Sequence, residues 1–343
     1  MDPISQGVVG AGFAQTIGTR EKLVAYSCFG CLAGLAPDLD IFIQSSGDPL
    51  LFLEFHRQFT HSLLFIPVGA LIVAAALFKL VKHSLSWREA YTACLIGYAT
   101  HGLLDACTSY GTQLFWPFSN YRVAWNNVSV VDPLFTLPAL ILVVLAALKR
   151  NKALTYIGLA WAVGYLLLGL IQHERAWSAA KQIAHAQGHT PHRLTLKPGF
   201  ANVVLWKAIY EHDGRYYVNA IRALADVRWC AGDHIDKLDL ATHLPLLDPT
   251  SQQAEDIERF RWFSQDYLAF REEDLLVIDM RYSTVPNEVQ PMWGIRLDKS
   301  AAHDQHVQWW AERGANARQR QKMSDLFAGT DCQLIPKLAP AES

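Results

Sequence analysis

The sequence predicts an all-α polytopic membrane domain of about six helices, two of them short, followed by a soluble α+β domain with an antiparallel sheet. Charged side chains occupy 19 positions of residues 1–172, about 11%, and 43 positions of residues 173–343, about 25%. The second value is typical of a soluble domain, and the first is far below it. The long apolar runs also lie in the first half. We therefore expect a transmembrane domain over 1–172 and a separate soluble domain over 173–343.

Six apolar segments account for the helices predicted in the first half. Crossing a bilayer takes about 20 mostly apolar residues. The sequence predicts four full spans, over 62–81, 90–104, 133–148 and 153–172. Two short N-terminal helices, over 4–19 and 23–39, are expected before them. A large buried helical core is the alternative explanation. Four long runs of such low charge within 172 residues favour membrane spans instead.

The basic residues of the loops predict the orientation of these spans. Eight of them fall in loops on one side, and two fall on the other, which is a clear positive-inside bias. The eight are Arg20, Lys22, Lys79, Lys82, Arg88, Lys149, Arg150 and Lys152, against Arg57 and Arg122. Six spans then place both ends of the domain on the outer side, and the soluble domain in the periplasm of a bacterium. His83, in a basic loop, is expected on the cytoplasmic side.

The soluble half predicts a hairpin and several other elements. An Asp-Gly pair between two alternating segments is a strong hairpin signal, and Asp213-Gly214 stands between residues 203–210 and 216–224. The other expected elements are helices over 173–188, 251–270 and 309–327 and strands over 275–282 and 292–297. The nine histidines of this half show no metal-ligand spacing. The six cysteines of the chain, four of them in apolar runs, do not indicate a disulfide framework.

Candidate metal ligands are concentrated in three short segments near the outer ends of predicted helices. They are Asp38 and Asp40 after Pro37, His56 and His61 before the third predicted helix, and His101 with Asp105 in the fourth. His101 and Asp105 are four residues apart and share one helical face. Carboxylates at membrane depth are costly and usually functional. Imidazole with carboxylate suits zinc, manganese or iron better than calcium or magnesium, so we expect a divalent metal, with zinc preferred, and room for one or two ions.

Each of these residues also has an explanation that needs no metal. His56 can be an ordinary polar residue at a helix end, and Asp38 or Asp40 can be a helix cap. His101 and Asp105 can form a polar pair that holds helices together within the membrane. Their coincidence on one side of the membrane favours the metal site.

These motifs resemble the YdjM-like family of membrane-bound, predicted metal-dependent hydrolases. The matching stretches are residues 1–7, 36–40, 56–62 and 97–111, and residues 114–119 fit as well. The resemblance covers about residues 1–150 and implies a bacterial inner-membrane protein with an inferred hydrolase activity. Many members of the family have a histidine where Ser5 or Gln6 stands here, and Asp2 is the candidate to substitute for it.

The leading functional hypothesis is a metal-dependent hydrolase that acts on a phosphoester of a lipid or envelope precursor, because the site lies at headgroup depth. The expected metal ligands are Asp38, Asp40, His56, His61, His101 and Asp105. Asp40 or Asp105 is alternatively the general base. Arg57 is expected to face outward and bind a phosphate oxygen, or else to pair with Glu54.

The alternative is a membrane protein without catalytic activity, either a metal-binding scaffold or a transporter. A transporter needs polar groups through the membrane, and the middles of segments 62–81, 133–148 and 153–172 have almost none. Nucleic acid is not an expected partner, because the net charge is −2 and no basic tract is present.

Overall fold

The computed structural model describes residues 1–80, 84–312, 314–330 and 332–335, and the chain divides into two compact units. The first unit consists of Met1–Ile43, Phe55–Ile171 and Phe200–Asn202, and the second of Gln44–Glu54, Gln172–Gly199 and Val203–Ser343. The chain thus changes units at residue 172, while the short segment 44–54 belongs with the second unit. Val81, Lys82, His83 and the end of the predicted soluble domain, 336–343, lie outside the described residues.

The part of the chain before the first strand forms seven α-helices within the described ranges. They are α1 (Pro3–Ile17), α2 (Leu23–Leu35), α3 (Leu51–Phe55), α4 (Ile66–Leu80), α5 (Trp87–Ala106), α6 (Pro133–Lys149) and α7 (Lys152–Ala186). Three 3-10 turns lie between them, at Arg20–Lys22, Ala36–Phe42 and Phe59–His61. Six of the helices coincide with predicted segments, and α3 is an addition. The predicted helix over 173–188 is the continuation of α7.

Fewer of these helices meet the requirements for a span than the sequence predicts. Among the described residues, Arg20–Phe42 and Lys152–Ala186 are long and apolar enough to cross a membrane. The pair Leu51–His61 and Ile66–Lys79 is bent by 85°, as in a broken span or a re-entrant loop. Pro133–Lys149 is a shorter apolar helix. Among the described residues, two helices, or three if the bent pair is one span, thus have the length and composition of a span, and the larger number that the sequence predicts stays a prediction.

Local sequence explains where several helices begin. Asp2 accepts a hydrogen bond from the Ser5 amide, with Pro3 as the first residue of α1. Asp132 caps α6 in the same way before Pro133. Ser86 and Glu89 form a reciprocal capping box at the start of α5.

Glycines allow α1, α2 and α5 to pack with their backbones close together. A Cβ atom at Gly97 of α5 would overlap the carbonyl oxygen of Gly30 in α2. A Cβ atom at Gly34 would lie 2.8 Å from the carbonyl oxygen of Gln6 in α1. The GxxxG spacing of Gly30 and Gly34 therefore serves helix packing, and it brings the C-terminal end of α2 against α5.

The second unit contains two antiparallel sheets. The first has the order β1-β2-β3-β4-β9 and the second β5-β6-β7-β8. The strands are β1 (Arg193–Pro198), β2 (Leu205–His212), β3 (Arg215–Ala223), β4 (Val227–Asp236), β5 (Leu268–Arg271), β6 (Leu276–Asp279), β7 (Trp293–Arg296), β8 (Gln308–Ala311) and β9 (Gln333–Leu334). Its helices are α8 (Leu240–His243), α9 (Gln252–Phe263) and α10 (Ala317–Ala328). The antiparallel α+β architecture is confirmed.

The predicted hairpin is present, and two predicted helices are too long. Asp213 and Gly214 both have positive φ, 46° and 71°, as the tight turn between β2 and β3 requires. The helix expected over 251–270 ends at Phe263, because Gln265 and Asp266 adopt left-handed backbone before β5. The helix expected over 309–327 begins at Ala317, because Gln308–Ala311 pairs with β7 as a strand.

One disulfide is present that the cysteine count does not predict. Cys230 in β4 is bonded to Cys332, 102 residues later in the chain. The other four cysteines, Cys28, Cys31, Cys94 and Cys107, are free thiols of the helical unit. Disulfides persist mainly in proteins of oxidising compartments.

Candidate metal centre

Three elements of the first unit carry the predicted ligands to one place. Asp38 and Asp40 lie on the 3-10 turn Ala36–Phe42 that directly follows α2. His61 is the last residue of the 3-10 turn Phe59–His61 before α4. His101 and Asp105 lie one turn apart in α5.

Four ligand atoms converge in what we call the inner group, Asp38, His61, His101 and Asp105. The Nε2 atoms of the two histidines lie 2.9 Å apart, and Asp38 Oδ1 lies 3.4 Å from each of them. Asp105 Oδ2 lies 3.2 Å from His61 Nε2 and 3.7 Å from His101 Nε2. The side chains of His61, His101 and Asp105 have no exposed surface, and that of Asp38 is 22% exposed.

Hydrogen bonds outside the inner group fix which histidine nitrogens carry protons. His101 Nδ1 lies 2.6 Å from the carbonyl oxygen of Gly34, which can only accept, so Nδ1 donates and Nε2 keeps its lone pair. His61 Nδ1 lies 3.0 Å from Thr60 Oγ1, which donates its own proton to Asp40 Oδ2 and therefore accepts from Nδ1, so Nε2 of the neutral imidazole also keeps its lone pair. Carbonyl and carboxylate partners orient metal-binding histidines in the same way.

The inner group therefore directs four acceptor atoms at one another. Two imidazole lone pairs and two carboxylate oxygens face a common point, and among the described residues the buried Asp105 Oδ2 accepts no hydrogen bond. A tetrahedral ion with ligands at about 2.0–2.1 Å has ligand–ligand edges of roughly 3.3–3.4 Å. The measured separations, 2.9–3.7 Å, bracket that value. With both imidazoles neutral, the arrangement is repulsive without a cation, and it fits a small divalent metal.

Three groups outside the inner group contact the carboxylate of Asp105. Its Oδ1 atom accepts a hydrogen bond from Gln6 Nε2 at 3.0 Å and contacts the α-amino group of Met1. Arg57 Nε lies 3.2 Å from Asp105 Oδ2. Asp2 caps α1, so the N-terminal segment reaches Asp105 through Gln6 rather than through that carboxylate.

Arg57 is buried, and the expectation that it faces outward is wrong. The residue is 4% exposed, and its Nη1 donates to Thr108 Oγ1 at 3.1 Å. Its guanidinium also lies over the ring of Tyr110. Glu54, the alternative partner suggested by the sequence, accepts a hydrogen bond from Arg259. Binding of phosphate by Arg57 remains a prediction.

Asp38 is also part of a second set, which we call the outer group, Asp38, Asp40 and His56. One ligand atom from each of its members lies within 4.8 Å of the others. His56 Nδ1 lies 2.7 Å from Asp40 Oδ1, and the His56 side chain is 33% exposed. Asp40 Oδ2 accepts hydrogen bonds from the Arg57 amide and from Thr60 Oγ1. All six predicted ligands thus fall into two adjoining groups that share Asp38.

The sequence does not predict that Gly34, Thr60 and Gly102 support the metal ligands. Gly34 orients His101 through its carbonyl oxygen, and Thr60 lies between Asp40 and His61. A Cβ atom at Gly102 would overlap the His61 carbonyl oxygen. Thr60 and Gly102 lie inside the matching stretches, and Gly34 does not. The partners of the two glycines lie 40 or more positions away in the chain.

Comparisons with known proteins identify the family of this chain. A family model described as YdjM inner membrane protein matches residues 1–176, which include both groups of ligands. An uncharacterized protein, YfhP of Bacillus subtilis (strain 168), is 22% identical over 277 residues, covering 78% of this chain and 80% of the relative. No solved structure matches the chain significantly.

Proposed function

Because the chain belongs to the YdjM family of inner membrane proteins, we propose that it is a membrane-embedded, metal-dependent hydrolase. The substrate is a phosphoester of a lipid or of a lipid-linked envelope precursor, and it is cleaved at the outer face of the membrane. The observation that carries the proposal is the convergence of four acceptor atoms in the inner group, with the buried Asp105 Oδ2 accepting no hydrogen bond among the described residues.

Zinc is the metal that this donor set favours. Two neutral imidazoles and two carboxylates at edges near those of a tetrahedron are typical zinc ligands. Such an ion supplies Lewis-acid polarisation of the ester and lowers the pKa of water, which is the chemistry of metal-assisted hydrolysis. Manganese and iron are the alternatives.

The protein's own residues orient the ligands and set the direction of approach. Gly34 and Thr60, the latter held by Asp40, keep the two inner histidines in the tautomer that binds metal. Arg57 offsets the negative charge of Asp105 from within the protein. The exposed parts of Asp38 and His56 mark the side from which a substrate enters. Headgroup depth on this side is the reason for proposing a lipid phosphoester.

We propose further that the protein is multi-pass and that its second unit is periplasmic. The eight-to-two bias of the basic residues supports this orientation. The disulfide between Cys230 and Cys332 supports it independently, because a reducing cytoplasm disfavours such bonds.

The proposal is tested by hydrolysis of a panel of phospholipids and isoprenoid phosphates by the detergent-purified full chain. We expect cleavage of at least one member, loss of that cleavage with a chelator, and recovery on addition of zinc. His61→Ala should abolish turnover, while His303→Ala, a substitution at an exposed histidine of the second unit, should not. Arg57→Ala in the same assay tests its predicted role toward phosphate.

A non-catalytic metal-binding scaffold is the second candidate, because the same inner group serves binding without turnover. Folded, metal-loaded protein that cleaves no member of the panel would favour the scaffold over the hydrolase.

A further inference from the structure

We propose that the site binds two divalent cations in non-equivalent positions and that the carboxylate of Asp38 bridges them. The proposal deepens the proposed function, because it concerns the same site. The inner position is the one formed by His61, His101 and Asp105 together with Asp38. The outer position is formed by Asp40 and His56 together with the same Asp38.

Asp38 is the residue that geometry assigns to both positions. Its Oδ1 lies 3.4 Å from the Nε2 atoms of both inner histidines. A ligand atom of Asp38 also lies within 4.8 Å of those of Asp40 and His56. Two-metal hydrolytic sites place their ions about 3.5–4 Å apart. A carboxylate with two oxygens spans that separation by giving one oxygen to each ion.

The charges around the site favour a second cation at Asp40, because the positively charged guanidinium of Arg57 lies at Asp105. Asp40, by contrast, accepts from a hydroxyl and a backbone amide and lies against two imidazoles. A cation in the outer position replaces the proton between His56 Nδ1 and Asp40 Oδ1, which lie 2.7 Å apart.

The two positions differ in their access to solvent. The three ligands that belong to the inner position alone have no exposed side-chain surface. The outer position includes His56, whose side chain is one-third exposed. We therefore expect the inner cation to dissociate slowly and the outer cation to exchange readily.

Manganese is the probe that distinguishes one ion from two bridged ions. Full-length protein in detergent is stripped with a chelator and titrated with Mn²⁺, and bound metal and the electron paramagnetic resonance spectrum are measured together. We expect two Mn²⁺ per chain with an exchange-coupled spectrum. His56→Ala should halve the stoichiometry and remove the coupling, and His56→Gln, which keeps most of the side-chain volume, should do the same. His303→Ala should retain two coupled ions.

Three results would overturn the proposal. Saturation of the wild-type chain at one Mn²⁺ removes the outer position, and two bound ions without exchange coupling remove the Asp38 bridge. Two coupled ions in both His56 variants show that His56 is not a ligand. One bound ion together with chelator-sensitive hydrolysis would overturn this inference and leave the proposed function standing.

Discussion

At the level of single residues, Gly102 shows how closely the metal centre is packed. A Cβ atom at this position would overlap the His61 carbonyl oxygen and lie 3.2 Å from Leu114 Cδ2. A backbone carbonyl cannot move aside as a flexible side chain can, so His61 itself must shift. Gly102→Ala should therefore weaken zinc binding by about 10–100-fold, the range typical of lost support for a metal ligand.

The matched control is Gly164→Ala in α7, where an added Cβ meets nothing within 4 Å. Competition with a chromophoric chelator gives the zinc affinity of each variant. Equal affinities for the two variants would show that the position of His61 does not govern binding.

Lys207 provides a prediction of pH dependence in the second unit. Burial lowers the pKa of Lys207 to about 7, and its Nζ donates to Ser283 Oγ and to the Glu288 carbonyl oxygen. Burial has the same effect on the pKa of Lys197. Unfolding returns a lysine to its ordinary pKa, so the unfolded chain binds more protons above pH 7. The free energy of unfolding should therefore rise from pH 7 to 9, by up to about 1.4 kcal/mol per pH unit for each lysine.

Lys207→Met should reduce that slope, since it removes one of the two buried amines. The slope of the free energy of unfolding against pH is measured by denaturant unfolding at pH 7, 8 and 9, with tryptophan fluorescence as the signal. Lys299→Met, at an exposed lysine of the same unit, is the control and should keep the wild-type slope. An unchanged slope in Lys207→Met would contradict the assignment of this pH dependence to Lys207.

At the level of elements, α9 holds the segment 44–54 through Arg259. Its guanidinium contacts Asp48 at 2.8 and 3.0 Å and Glu54 at 2.6 Å, all within the second unit. Hydrogen bonds to charged groups contribute about 1.5–3 kcal/mol each, and their loss lets a loop open locally. Arg259→Ala should therefore speed limited proteolysis within 44–54 by on the order of tenfold.

Arg261 on the same helix offers the comparison, because it pairs with Glu258 and Asp266 instead. Arg261→Ala should leave cleavage within 44–54 at the wild-type rate. If mass spectrometry of the fragments shows the same rate for both variants, Arg259 is not what anchors this segment.

The sequence predicts an element correctly when the residues that determine it are neighbours in the chain. The hairpin at Asp213-Gly214 is predicted because its turn needs two left-handed residues, and the sequence supplies them. The end of α9 is missed because Gln265 and Asp266 adopt left-handed backbone without being glycine. β8 is missed because Gln308–Ala311 becomes a strand only by pairing with β7.

The same contrast holds for the candidate site. The three ligand segments are recognisable from spacing and from the cost of polar groups in apolar helices. The contact of His101 with the Gly34 carbonyl joins positions 67 residues apart, and no local pattern signals it. The burial of Arg57 likewise depends on Asp105, in the distant helix α5, and on Thr108, which follows that helix.

At the level of the whole molecule, the orientation in the membrane is the prediction with the widest consequences. A reporter fused after Ser343 should be active when it is one that works only in the periplasm, because an even number of crossings returns the chain to the outer side. Activity of a cytoplasmic reporter at that point would mean an odd number of crossings. Such a result would change the number of crossings assigned to two parts of the chain. They are the bent pair Leu51–His61 and Ile66–Lys79, and the short helix α1.

The central claim is that the inner group binds a divalent metal, and metal content measures this most directly. Zinc per chain is determined by elemental mass spectrometry on detergent-purified, monodisperse protein of the wild type, His101→Ala and His303→Ala. We expect at least one zinc per wild-type and His303→Ala chain, and a loss of at least half of that zinc in His101→Ala, because His101 Nε2 has its lone pair aimed at the inner group. Equal zinc content in His101→Ala and His303→Ala would contradict the account.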